Sequence, residues 1–456
     1  MTERFAAALE YARQHEADFL KGLQDFVAFG SISTSDEHRE EIEKTASWVA
    51  RRLEGLGMQN VAVMPTAGHP VVYGEWLGAP GKPTALVYGH YDVQPVDPLD
   101  LWETDPFEAA LRGENLYARG TSDMKGQVMA CLNAVEAIVR TGTLPVNIKF
   151  LIEGEEEIGS PSLAEWIEKN KDLLKADFCL NPDAGMLGKD HPTITYGLRG
   201  LASFELTVSG PSHDLHSGIF GGAVHNPAKA LAELLAGMHD ENNHITLPGY
   251  YDSVRPLSDE ERAHLAKLPV SDAFVLAQTG VPQVWGEAGY TSVERAGGRP
   301  TLEINGMQSG FTGQGQKTII PAWAMAKITC RLVPDQKPEE VYEQMKRYLE
   351  ERAPETIRWD LKMYGGSEAS ISEIHKPWVT ALANAMEAVW GTPPLFKREG
   401  GSVPVVGMMQ SSLGMESVLT GFGLPDDNLH APNEKMHVPT WHRGIETLVR
   451  FFFNLE

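Results

Sequence analysis

An α/β chain in two domains, one set into the other, is the fold that the sequence predicts. Three observations carry it. Short apolar strands alternate with helices early in the chain, at 71–76, 84–89, 147–152 and 177–181, which is the pattern of a sheet covered on both faces. The period-two strand SFELTVSG (203–210) then opens a strand–helix–strand–strand–helix–strand series, the split βαβ order of a ferredoxin-like α+β domain. After YGGSEAS (364–370) the chain returns to helix and strand. Seams near Leu198 and Gly366 therefore assign 1–198 and 367–456 to an outer domain and 199–366 to an inserted one.

The elements follow in order. Residues 1–29 read as one amphipathic helix, and a second helix covers 38–56, ending near Gly55 and Gly57. The stretch 122–142 is a helix with Ser122 as its cap and Gly142 as its stop. In the inserted part, Asn226-Pro227 starts a helix. Strands follow at 301–305 and 323–333, then a helix at 337–354 and a strand at 356–364. KPWVTALANAMEAVWG is a helix, MESVLTG a strand, and PTWHRGIETLVRFFFNLE a closing helix. The segment 240–300 is a large insertion without assigned elements, and Trp285, Tyr290 and Trp323 are expected in core packing.

A chain of 456 residues exceeds the usual single core. Its net charge is −23 and it has no Lys/Arg-rich run. Nucleic-acid phosphates and anionic membrane surfaces would be repelled, so neither is an expected partner. The first residues are charged and lack the apolar core of a signal peptide, and no stretch approaches a membrane span. Cys131, Cys179 and Cys330 are far apart in apolar surroundings. That suits buried reduced thiols in a cytoplasmic protein.

Chemistry collects where strands end. His90 and Asp92 follow the apolar run Ala85–Val87, two apart and on one face of the strand. NIKFLIEGEEEIGS runs into Glu153, Glu155, Glu156 and Glu157. Asp183 follows the strand at 177–181, and Asp123 lies between Gly120 and a helix. Open α/β sheets bind ligands beyond the carboxyl ends of their strands. Taken singly, each of these groups is an ordinary turn residue or solvated acid. Taken together, the carboxylates would repel one another and hold protons unless a cation sat among them. Mixed imidazole and carboxylate donors suit zinc first, with manganese or cobalt accepted by the same set.

The motifs GHYDVQP, LYARGTSDMKG, EGEEEIGS, DLHSGIFGG, REGGSVP and NLHAPNEK run in order from about residue 88 to 435. In these the chain resembles the M20 metallopeptidases, and within them the carnosinase-like dipeptidase branch. The resemblance implies an aminopeptidase-like catalytic domain with two divalent ions per subunit, and an inserted lid and dimerisation domain. His90 and Asp183 would hold one ion, Glu157 and His430 the other, and Asp123 would bridge them. Asp92 would hydrogen-bond the far nitrogen of His90 and fix its tautomer. Glu156 matches the general base, which takes a proton from the attacking water and returns it to the leaving amine. Glu155 shares strand parity with Glu157 and competes with it for the ligand role. The peptide bond after Asp123 would be cis.

His216 matches a histidine that reaches from one subunit of a homodimer into the other's active site and stabilises the oxyanion, with His213 the weaker candidate. Thr318, Arg331, Ser402 and His375 match residues on the substrate side, where Arg331 would anchor a terminal carboxylate. The function implied is hydrolysis of dipeptides or short peptides with a free C-terminal carboxylate. Rivals on the same scaffold are an N-acyl-amino-acid deacylase and a succinyl-diaminopimelate desuccinylase. A non-catalytic binding protein is the rival of another class, and it would have lost Glu156 or a ligand.

Overall fold

The computed structural model describes residues 3–401 and 403–456. They form two compact units: Met1–Tyr196 with Ser372–Lys397 and Met408–Glu456, and Gly197–Ile371 with Arg398–Gly407. Residues 398–401 and 403–407 differ from the sequence expectation, which left them in the outer domain. They pack with the second unit, where Arg199 Nε donates to the Gly400 carbonyl at 3.1 Å and Arg398 pairs with Glu261.

The first unit is built on a mixed sheet. Its strands lie in the order Gln59–Met64, Val71–Trp76, Asn147–Glu153, Thr84–His90, Phe178–Asn181, Ser417–Leu419 and Thr193–Leu198. The central ones, Asn147–Glu153, Thr84–His90, Phe178–Asn181 and Ser417–Leu419, are mutually parallel. Parallel strands covered on both faces read as continuous apolar runs, as Asn147–Glu153 does with all seven residues buried. In the register, His90 lies opposite Glu153, so both strands stop at the same edge.

Helix Lys125–Thr141 has residues 125–135 buried around its whole circumference, which is why its sequence shows no polar stripe. The closing helix Val438–Asn454 is capped by His437, whose Nδ1 accepts the Thr440 N–H. Its Trp441 donates from Nε1 to the Gly126 carbonyl at 2.7 Å. The expected single N-terminal helix is two, Glu3–Gln14 and Glu16–Val27. The break is at His15, whose backbone leaves helical geometry while its ring stacks on Tyr11. The helix expected from Ser122 starts at Lys125, because the Ser122 hydroxyl bonds Asp427 instead of capping.

The second unit holds a four-stranded antiparallel sheet in the order Thr301–Ser309, Trp323–Leu332, Gly200–Ser209 and Arg358–Ser367. One face is apolar: Ala202, Phe204, Leu206, Val208, Ala326 and Ile328 pack with residues of helices Pro227–Ala236 and Pro338–Arg352. This is the split βαβ arrangement. The insertion folds as short helices, Asp259–Leu265, Asp272–Thr279 and Ser292–Gly298. Two of these begin with reciprocal capping boxes, Ser258/Glu261 and Thr291/Glu294. Trp285 and Trp323 are 64% and 43% exposed, contrary to the expected core packing. Tyr290 is half-buried and faces the guanidinium of Arg299.

Candidate metal centre

The parallel strands deliver their last residues to one place. His90 ends Thr84–His90 and is fully buried. Its Nδ1 lies 3.1 Å from the Asp92 carbonyl oxygen and 3.4 Å from Asp92 Oδ1. Its Nε2 is buried 3.2 Å from Asp123 Oδ1, without hydrogen-bond geometry to any described partner. Asp92 also reaches the next strand end, where its two oxygens accept the N–H groups of Glu156 and Glu157 at 3.2 and 3.1 Å. One carboxylate therefore ties the His90 strand end to the Glu156–Ile158 turn.

The EGEEE run divides its labour. Glu153 is buried and accepts from Tyr88 and Ser160. Gly154 is required by close approach, since a Cβ there would lie 2.4 Å from Tyr91 Oη. Glu155 accepts the backbone N–H groups of His69 and Ser162 at 2.8 and 3.1 Å and so braces two loops. That leaves Glu157 facing the histidines. Its Oε2 is 3.2 Å from His430 Nε2 and accepts from Gln94 Nε2 at 2.8 Å. Glu156 Oε2 lies 3.9 Å from His90 Nε2.

Asp123 presents Oδ1 to His90 and Oδ2 to His430, the latter at 2.9 Å from Nε2. The Asp123–Met124 peptide is cis. His430 is in the left-handed region at φ +59°. Possible donor atoms of His90, Asp123 and Glu157 lie within 4.8 Å of one another, and so do those of His90, Glu156 and Asp183.

The electrostatics show what such crowding costs without a cation. Burial, helped by Glu157, Asp123 and Asp92 against His90, pushes the Glu156 carboxyl up to about 7. Burial and the Asp123 charge raise Asp183 well above the carboxylate range. Hydrogen bonds to Asp123 and Glu157 raise His430 to about 10. Burial opposes a charge on His90, yet Asp123, Asp92 and Asp183 hold its ring well above the usual value. Cations would replace these retained protons. The buried Nε2 of His90 and the surplus of carboxylates over histidines fit a divalent-ion pair.

The remaining predicted residues fall elsewhere. In the second unit the strand Leu215–His216 pairs with Ile319–Ile320, and Ser217 N–H donates to the Thr318 carbonyl, so His216 and Thr318 are neighbours. His216 is exposed, and its Nδ1 accepts the Gly218 N–H at 3.0 Å. His213 is also exposed, with its ring against Ser212. Arg331 is on Trp323–Leu332 and, with Arg199 and Trp285, lines a cavity of about 620 Å³. His375, in the first unit, is exposed just before helix Pro377–Trp390. Ser402 lies outside the described residues.

Sequence reasoning gave no role to Glu434 or Asp427. Both are fully buried. Glu434 Oε1 accepts Ser122 N–H at 3.0 Å and Asp123 N–H at 3.1 Å, and its Oε2 accepts Gly120 N–H at 3.0 Å and Arg119 Nη1 at 2.8 Å. Asp427 accepts from Ser122 Oγ, Leu424 N–H and Lys435 Nζ. The signal was available: an acid four residues after His430, in a motif with no other use for it.

A strand-end histidine and a loop histidine gathered with carboxylates at the edge of an α/β sheet, with a split βαβ unit inserted in the chain, define a metal-dependent hydrolase class. The sequence comparisons narrow it: residues 86–454 match Peptidase family M20/M25/M40, and the chain belongs to that family. It is 32% identical to the Cys-Gly metallodipeptidase of Candida albicans, over 94% of this chain and 93% of that one. Among solved structures it is similar to an M20 family metallo-carboxypeptidase from Sulfolobus solfataricus, with TM-score 0.83, 34% identity and coverage of 96% and 99% of the two chains. It is also similar to human carnosine dipeptidase 1, with TM-score 0.78, 32% identity and coverage of 100% and 99%.

Proposed function

We propose that this M20 peptidase is a metal-dependent dipeptidase acting on dipeptides or short peptides with a free C-terminal carboxylate. The observation that carries the reading is Asp123 offering one oxygen to each of two histidines, beside Glu156, Glu157 and Asp183. The relatives named for Cys-Gly and carnosine cleavage support the substrate class.

His90 and Asp183 would hold one divalent ion, Glu157 and His430 the other, with Asp123 shared. Zinc is the first choice, and manganese or cobalt suits the same donors. When bound, the ions supply the positive charge that acidifies water and polarises a carbonyl. Glu156 takes the proton of the attacking water and returns it to the leaving amine. Its side chain is 17% exposed, which leaves it open to solvent while largely shielded from it. Asp92 holds the His90 ring by Nδ1 and the Glu156–Glu157 backbone by its oxygens. The second unit serves as lid and dimer surface in a cytoplasmic homodimer. His216 acts in the partner's site, Arg331 and Ser402 meet the substrate's terminal carboxylate, Thr318 meets that carboxylate or the surroundings of the reacting group, and His375 lies on the substrate side.

A panel of dipeptides, tripeptides, N-acetyl and N-succinyl amino acids, assayed with each metal, tests the reading. Cleavage of dipeptides with a free carboxylate is expected. Turnover confined to acylated amino acids would replace it with a deacylase or desuccinylase. Preference for longer peptides would favour a carboxypeptidase, the activity named for the Sulfolobus relative.

A further inference from the structure

We propose that Glu434 is a positioning residue, one that sets where Asp123 and His430 present their donor atoms. The inference rests on the metal-holding reading of those two residues. Asp123 and His430 stand on different loops, 307 positions apart in sequence. What fixes their separation lies beneath them. The loop from Arg119 to Asp123 curls round the Glu434 carboxylate, with Gly120 at φ +86°. Three backbone N–H groups and one guanidinium point at its two oxygens. Successive backbone N–H groups in such a turn form an anion-binding concavity, and here the anion comes from the protein itself.

The clasp is closed at its other end. Ala118 N–H donates to the Glu434 carbonyl, and Lys435 N–H donates to the Asp427 carbonyl. Asp427 in turn accepts from the Ser122 hydroxyl at 2.8 Å. Asp427 and Glu434 therefore bracket His430, and both grip residues immediately before Asp123. The N–H of Asp123 bonds Glu434 at 3.1 Å while its side chain reaches His90 and His430. A movement of the carboxylate is passed to Asp123 through one residue's backbone. Arg119 supplies the countercharge inside the protein and donates from Nη2 to the Pro95 carbonyl, which anchors the clasp to a third loop.

In E434Q the amide nitrogen would face N–H donors, so at least one oxygen's worth of acceptors is lost with little change in volume. E434D keeps the charge on a stem one methylene shorter. The test is titration of the metal-depleted full-length protein with Co²⁺, read by visible absorption and by competition with Zn²⁺. Melting of the metal-free form serves as a folding control. E434Q is expected to bind cobalt about 10–100-fold more weakly than wild type, the usual effect of removing an outer support of a metal ligand. Its cobalt spectrum should also change, and kcat should fall at saturating cobalt with KM little altered. E434D should recover part of the affinity.

A folded E434Q with wild-type cobalt affinity and spectrum overturns the inference alone. Wild-type protein that binds no cobalt overturns the metal reading beneath it. If E434Q does not fold, E434D decides: it draws the carboxylate one methylene away from the same four donors, and cobalt binding weaker than wild type supports the clasp while unchanged binding refutes it.

Discussion

Asp123 Oδ2 lies 2.9 Å from His430 Nε2, although 307 positions separate the two residues in the chain. The contact joins the turn ahead of the Lys125–Thr141 helix to a loop late in the sequence. With Oδ1 3.2 Å from His90 Nε2, Asp123 is the group common to both histidines.

Replacing Asp123 with Asn should therefore abolish tight binding at both ion positions together. Metal analysis after dialysis should show loss of both ions. Retention of a full complement by D123N would remove Asp123 from the bridging role.

Glu156→Gln should keep its metals and lower kcat by about 10²–10⁴-fold, the usual contribution of a general base. The neighbouring carboxylates stay in place, and the glutamine fills the same volume. Wild-type turnover in E156Q would transfer the proton step to another group.

Glu155→Ala should act on stability. It strands the N–H groups of buried His69 and half-buried Ser162, of which the buried one is worth about 1–3 kcal/mol when unsatisfied. Denaturant unfolding of the first unit should shift to lower concentration while metal content is preserved. A variant as stable as wild type, or one stripped of metal, would contradict this division between Glu155 and Glu157.

If His216 works across a dimer, two dead variants should complement each other. H216A and E156Q, mixed under conditions of subunit exchange, would form hybrids with one intact site. Random pairing leaves about a quarter of all sites intact. Activity that stays at the level of the separate variants would place His216 in its own subunit's chemistry or outside the chemistry altogether.

Acid sensitivity has one traceable source in His442. Burial lowers its ring to about 4, below the unfolded value of about 6.5. The unfolded chain thus binds the proton more readily. The contribution is complete above the unfolded value and is lost as pH falls towards 4. At pH 5 the loss is at most about 2 kcal/mol. Melting at pH 7.5 and pH 5 should show a smaller acid-induced drop in H442Q than in wild type, and equal drops would dismiss His442 as the cause.

Much of this was legible in the sequence because strands end abruptly in polar residues. His90, the Glu156–Glu157 pair and Asp183 each follow an apolar run, so the sheet edge could be read directly. Asp123 was singled out by its place between Gly120 and a helix, whereas its bridging role and His430, on a late loop, needed the family motifs. The role of Glu155 could not be read from strand parity, because the chain leaves the strand at Glu153 and turns at Glu156–Ile158. The break at His15 and the pairing of Arg398 with Glu261 depend on tertiary packing, which periodicity does not report. The insertion was opaque because its helices are only seven or eight residues long, too short for a stable period.

The clasp around Glu434 also bears on when activity can first arise. Polypeptides emerge amino end first and fold as they lengthen. His430 and its buried support trail every other member of the centre in order of synthesis. A growing chain therefore lacks His430, and with it the contact to Asp123, until nearly all of it has been made.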